Sequence, residues 1–264
     1  MSQHPLDQPS VINNLFYPRK ALAHQSTDDA VKDGTVRIND EVEIGYRLTI
    51  KHSSAPVLLY FHGNGEVASD YDSIAPYYDA AGLSLLVVDY RGYGWSTGTP
   101  LTTQLLPDAQ IVFDNIGQIL RDNGIIPERP LFLMGRSLGS APAIYLAMKN
   151  PDNLQGLIIE SGYADAPSLF GRLGIRIPDD LKEDVTLPIG NGDKIKQVTI
   201  PTLIIHGEID TLIPAYHGQT LYDNVGTDQK RLLIIPNAGH NNVSFVDVRR
   251  YFDAIKQFIE AYMP

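Results

Sequence analysis

Short, continuous apolar runs recur along this chain, most of them followed by a segment whose apolar positions fall at helical spacing. Val57-Leu58-Leu59-Tyr60-Phe61, Leu83 to Asp89, Leu131-Phe132-Leu133-Met134, Leu157-Ile158-Ile159-Glu160, Thr202 to His206 and Leu232 to Ile235 read as strands. Their unbroken apolar character is that of strands covered on both faces. Helices are predicted over 69–81, 105–123, 141–149, 214–225 and 243–262. Buried strands alternating with helices require parallel pairing, so the fold class is α/β: a mostly parallel, doubly wound sheet with helices on both faces. Upstream, Val36 to Ile38 and Val42 to Ile50 alternate like two antiparallel strands turning at Asn39-Asp40. Residues 1–34 are polar and irregular apart from Leu15-Phe16-Tyr17-Pro18, and read as an N-terminal strap over the domain. The alternation pauses over 162–198, where glycines, Pro178, Pro188 and scattered apolar residues (Phe170, Leu173, Ile175, Ile177, Leu181) suggest a short inserted lid. The whole chain, 1–264, reads as a single domain.

Composition narrows the partners. The 264 residues are 43% hydrophobic and 20% charged, the balance of a globular protein. A net charge of −10 repels nucleic acid and anionic lipid, so neither is expected as a partner. The absence of cysteine removes disulfides, thiolate metal sites and thiol nucleophiles. The first twenty residues lack a basic start with an apolar core, and no run approaches a membrane span. The expectation is a soluble, cytoplasmic protein without stable membrane insertion; its oligomeric state is not legible.

The chemistry centres on Gly135-Arg136-Ser137-Leu138-Gly139, which lies between a strand and a helix. In that setting a serine sits on a tight turn with its hydroxyl lifted to the tip of the sheet. A serine hydroxyl needs a base as it attacks, and the base needs a carboxylate to hold one tautomer. Asp210 follows the strand Thr202 to His206, and His240 follows Leu232 to Ile235, giving the order Ser, Asp, His beyond successive strand ends. Glu160, at another strand end, and nearby Glu208 stay open as alternatives for the acid. Asn241 or Asn242 is available to cap the last helix, leaving His240 free. An oxyanion forming on the substrate requires preorganised donors. The backbone amide of Leu138 is one candidate, and the amide of Asn64, in His62-Gly63-Asn64-Gly65, is the other.

Other polar residues read as framework. His62 is expected to bond across its loop, Asp89 and Arg91 to pair with each other or with loop backbone, and Arg136 to brace loops. Tyr90, Tyr93 and Trp95 either line an acyl pocket or simply pack. His4, His24, His52, His206 and His217 show no metal-ligand spacing, and no phosphate or dinucleotide motif stands out, so neither metal nor cofactor is expected.

Taken together, His62-Gly63-Asn64-Gly65, Asp89-Tyr90-Arg91-Gly92-Tyr93-Gly94, the 135–139 elbow, Gly207-Glu208-Ile209-Asp210 and Gly239-His240-Asn241 resemble the α/β-hydrolase superfamily, and within it the BEM46-like serine hydrolases. The likeness runs from about Val57 to the C-terminus. It implies Ser137 as nucleophile, Asp210 as acid, His240 as base and no cofactor. Unlike the membrane-anchored relatives, this chain has no N-terminal hydrophobic span and no cysteine cluster. The expected activity is hydrolysis of small-molecule carboxylic esters through an acyl-enzyme, with short to medium acyl chains suggested by the short lid. A thioesterase or aminopeptidase using the same residues is the alternative, and a non-catalytic binding protein the remaining one.

Overall fold

A computed structural model describes residues 4–23, 28–175 and 189–263. Eight strands form one sheet: β1 (Val31–Arg37), β2 (Glu43–Thr49), β3 (Val57–Phe61), β4 (Ser84–Val88), β5 (Leu131–Arg136), β6 (Leu154–Glu160), β7 (Thr202–Gly207) and β8 (Lys230–Ile235). Their spatial order is β1-β2-β4-β3-β5-β6-β7-β8. The β1–β2 and β2–β4 pairs are antiparallel, and every other pair is parallel. The carboxyl ends of β3 and β5 through β8 therefore lie along one edge, where an open sheet of this kind places its site.

Side chains alternate between two cores. Leu59, Leu133, Ile159 and Ile204 face one side, with Leu106, Ala109 and Val112 of the helix Leu105–Asp114 and Ile144 of the helix Ser140–Ala147. Tyr60, Phe132, Ile158 and Leu203 face the other, with Tyr78 of the helix Ala75–Ala80 and Tyr251, Ile255 and Phe258 of the helix Val248–Tyr262. Helices on both faces explain why these strands carry no polar alternation.

Several expected elements take a different form. The predicted helix over 69–81 is a 3-10 helix, Ala68–Ser73, followed by Ala75–Ala80, which restarts with Pro76 in its first turn, where a missing N–H is tolerated. The predicted helix over 105–123 breaks at Asn115, whose side-chain amide donates to the Ile111 carbonyl and competes with the helical ladder. The last one breaks at Asp247, which caps the helix Val248–Tyr262 by accepting the Arg250 N–H at 3.0 Å.

The N-terminal strap is more ordered than its polarity suggested. A 3-10 turn, Pro5–Asp7, and a helix, Pro9–Leu15, bury Leu6, Val11 and Leu15, and residues 31–34 already belong to β1. Being an outermost strand, β1 is largely half-buried and tolerates Lys32, Asp33 and Gly34, which hid its first part from the apolar pattern. In the expected lid, the helix Ala166–Arg172 and the stretch from Ile189 are described. Ile177, Pro178, Leu181 and Pro188, like His24, lie outside the described residues.

Candidate active site

The elbow is built by close approach. A Cβ on Gly135 would collide with the Gly139 carbonyl oxygen, and one on Gly139 with the carbonyl oxygens of Phe61 and His62. Only glycine lets the helix Ser140–Ala147 start this close to the ends of β3 and β5. Between them Ser137 adopts φ +51°, a left-handed conformation that a side chain resists. The Ser140 hydroxyl donates to the Ser137 carbonyl at 2.6 Å, tying the strained turn to the helix.

Ser137, Asp210 and His240 come together from three strand ends. His240 Nε2 lies 2.9 Å from Ser137 Oγ, and His240 Nδ1 lies 2.7 Å from Asp210 Oδ2. The Asp210 side chain is fully buried, and its Oδ1 accepts the N–H groups of Leu212 at 2.9 Å and Ile213 at 2.8 Å. Burial works to raise the Asp210 pKa, but hydrogen bonds from His206, His240 and the Ile213 amide outweigh it and hold the carboxyl well below the usual range. An ionised Asp210 can only accept, so Nδ1 of His240 carries a proton and Nε2 presents its lone pair to Ser137. The arrangement can take a proton from the hydroxyl and return it.

The alternative acids are engaged elsewhere. Glu160 accepts from Tyr251 at 2.6 Å and pairs with Arg136 at 3.2 Å, while Glu208 accepts the Asn237 N–H at 3.0 Å. Asn241 and Asn242 do not cap the last helix: Asn241 Oδ1 accepts from Arg136, and Asn242 Oδ1 accepts the Gly239 N–H.

Arg136 braces loops, as its position suggested. Its guanidinium pairs with Glu66 at 2.5 Å and donates to the His240 carbonyl at 2.9 Å. Glu66 in turn accepts the Gly63 N–H at 2.7 Å and the Tyr71 hydroxyl at 2.8 Å. Burial opposes the Arg136 charge, yet Glu66 and Glu160 dominate and raise its pKa. Glu66 was missed in the sequence; its placement three residues past Gly63 was the available signal. His206 was also missed as a partner of the acid: its Nε2 donates to the Ile213 carbonyl at 2.7 Å and lies 3.5 Å from Asp210 Oδ2.

Around the proposed oxyanion loop, the Gly63 amide is committed to Glu66, and that of Gly65 faces the Tyr93 hydroxyl. Among the described residues, the amides of Leu138 and Asn64 have no protein partner. His62 bonds to the carbonyl of the adjacent Gly63 and reaches across to Asp89 at 3.2 Å. Asp89 and Arg91 do not pair: Asp89 accepts the Ala68 N–H, and Arg91 pairs with Asp108 at 2.5 Å because the helix Leu105–Asp114 brings that carboxylate closer. Tyr90, Tyr93 and Trp95 donate to the His62 carbonyl, Asn64 Oδ1 and the Gly34 carbonyl respectively. No cluster of metal-ligating side chains occurs among the described residues.

The sheet order, the elbow and the carboxyl-edge site define a class, and comparison with known proteins agrees. The sequence pattern of the family described as serine aminopeptidase, S33, matches residues 52–182, a span that stops short of Asp210 and His240. The chain is 27% identical over 229 residues to protein bem46 of Schizosaccharomyces pombe, covering 85% of this chain and 75% of that one. It is 31% identical over 217 residues to α/β hydrolase domain-containing protein 17C of Mus musculus, covering 80% of this chain and 62% of that one. An uncharacterised membrane protein of Saccharomyces cerevisiae is 28% identical over 261 residues, covering 94% and 88%. Among solved structures, an esterase of Pyrococcus furiosus superposes with a TM-score of 0.74 at 18% identity, covering 94% of this chain and 99% of that one, a likeness of fold. The chain has the α/β-hydrolase fold and is similar to the BEM46-like hydrolases. Among the described residues, no helix is long and apolar enough to cross a membrane.

Proposed function

We propose that this hydrolase cleaves small carboxylic esters through an acyl-enzyme on Ser137. As Ser137 Oγ bonds to the ester carbonyl carbon, His240 Nε2 takes its proton, and Asp210 steadies the resulting imidazolium. The amides of Leu138 and Asn64 receive the oxyanion. When the tetrahedral centre collapses, the ester C–O bond breaks and the alcohol leaves with the proton from His240. Water then attacks the acyl carbon, gives its proton to His240, and the acid departs as that proton returns to Ser137. The observation that carries this reading is the unbroken hydrogen-bonded line from Ser137 Oγ through His240 to the buried Asp210 carboxylate.

The description of the matching family keeps a second reading in view, hydrolysis of aminoacyl amides by the same residues. A fluorophosphonate probe should label the wild-type protein and fail on Ser137→Ala. A panel of p-nitrophenyl esters of graded chain length, with acyl-thioesters and aminoacyl amides beside them, should show esters turned over fastest. Equal labelling of Ser137→Ala would refute the nucleophile. Faster turnover of the amides would move the activity to an aminopeptidase.

A further inference from the structure

The stretch Gly63-Asn64-Gly65 ought to be loose, because glycines flank Asn64 and Gly65 takes φ +78°. Glu66 on the Gly63 N–H and His62 on the Gly63 carbonyl hold one end of it; Asn64 carries the one side chain of the stretch, and its polar atoms are all engaged by distant parts of the chain. Oδ1 accepts the Tyr17 N–H at 2.9 Å and the Tyr93 hydroxyl at 2.6 Å, while Nδ2 donates to the Leu15 carbonyl at 2.7 Å. Tyr17 N also lies 2.9 Å from the Tyr93 hydroxyl oxygen, closing the arrangement.

The N-terminal segment that supplies these partners is itself fixed. Leu15 and Phe16 are buried, Thr102 and Thr103 hold Leu6 and Asp7, and Arg19 forms a two-pronged pair with Asp70 at 2.7 Å. The Gly94 N–H donates to the Arg19 carbonyl at 2.8 Å, joining the segment to the glycine loop that carries Tyr93.

We infer that Leu15, Tyr17 and Tyr93 are positioning residues: they hold the Asn64 side chain so that its backbone amide stays aimed at the oxyanion. This rests on the serine-hydrolase reading above. It assigns the N-terminal segment a part in turnover, acting through Asn64 without touching substrate. A donor fixed before the reaction stabilises the developing charge without reorganising, so the loss on release of the anchor should fall on kcat and spare KM.

The test compares Asn64→Ala, Asn64→Asp, Tyr93→Phe and Tyr17→Pro on a p-nitrophenyl ester that the wild type hydrolyses. Tyr17→Pro removes the backbone donor together with the exposed phenol, for which Tyr17→Ala is the control, and Phe16 already has the extended backbone (φ −114°, ψ 136°) that a following proline requires. Rates are counted per site titrated to completion with fluorophosphonate, so partial unfolding does not pass for slow chemistry. Asn64→Ala should lower kcat by roughly 10- to 100-fold with KM within about twofold. Affinity for a trifluoromethyl ketone, which forms a tetrahedral oxyanion on serine, should fall in parallel. Asn64→Asp keeps both accepting bonds but sets an oxygen against the Leu15 carbonyl and adds a charge beside the oxyanion, so it should lose at least as much kcat as Asn64→Ala. Tyr93→Phe and Tyr17→Pro should each lower kcat, and neither should add to the loss in Asn64→Ala. Unchanged kcat per titrated site in Asn64→Ala, a rise in KM alone, or fully additive losses would overturn the inference while leaving the hydrolase reading intact. A wild type that neither labels nor hydrolyses any of the panel would remove both.

Discussion

Asp210 and Glu160 both stand at the ends of parallel strands, and only their neighbours separate their roles. Asp210 meets an imidazole and two backbone N–H groups, whereas Glu160 meets a guanidinium and two tyrosine hydroxyls. Asp210→Asn should lower kcat by about three to four orders of magnitude, because an amide no longer enforces the productive tautomer. Glu160→Gln keeps an acceptor for Tyr251 and should stay within about tenfold of wild type, with its main effect on unfolding in urea. Retained turnover in Asp210→Asn together with its loss in Glu160→Gln would reverse the assignment. Ser137, Asp210 and His240 were legible because order along the chain and position beyond strand ends depend on backbone pattern alone. Glu66, and the anchoring of Asn64 by Tyr17, were not: each contact joins segments whose approach is fixed by packing that no local spacing reports.

Loops, more than strands, carry the relative placement of the reacting groups, and Arg136 links two of them. It sits beside the serine and grips Glu66 after β3 and the carbonyl of His240 after β8. A planar guanidinium does this with separate N–H groups, while an ammonium is a single point. Arg136→Lys should therefore cost roughly 1–3 kcal/mol of stability through incompletely paired buried carboxylates. Turnover should fall further than the folded fraction does, as urea unfolding and steady-state kinetics on the same preparation would show. At this scale the central strands were readable from their apolar runs. The helix breaks at Asn115 and Asp247 were not, since a side chain competing for a carbonyl, or capping from mid-pattern, leaves the apolar period intact. The first part of β1, Val31 to Thr35, escaped for the opposite reason: an outermost strand has little apolar face to show.

For the molecule as a whole, acid should be felt first through a buried imidazole. His217 is buried, stacks on Tyr216 and accepts the Ala164 N–H at 3.3 Å. Burial lowers its pKa, with His206 and Arg172 pushing the same way and Asp165 and Asp210 opposing. The unfolded chain thus takes up a proton near pH 6.5 that the folded chain refuses. Stability is complete above that value and is lost as pH falls toward the lowered one. The thermal midpoint should decline from pH 7 to 5, and His217→Gln, which keeps an acceptor for Ala164, should flatten that decline. Parallel slopes in calorimetry would exclude His217 as the source. Asp210, its carboxyl held low, adds a second loss only below its ordinary value of 3.8.

The left-handed backbone at Ser137 has a consequence for any attempt to toughen this protein. Glycine would occupy that turn at ease, so a screen rewarding heat resistance alone will tend to select it there and, on the proposed mechanism, enrich survivors without a nucleophile. Directed improvement therefore has to reward turnover in every round, because at this position durability and usefulness pull the sequence in opposite directions.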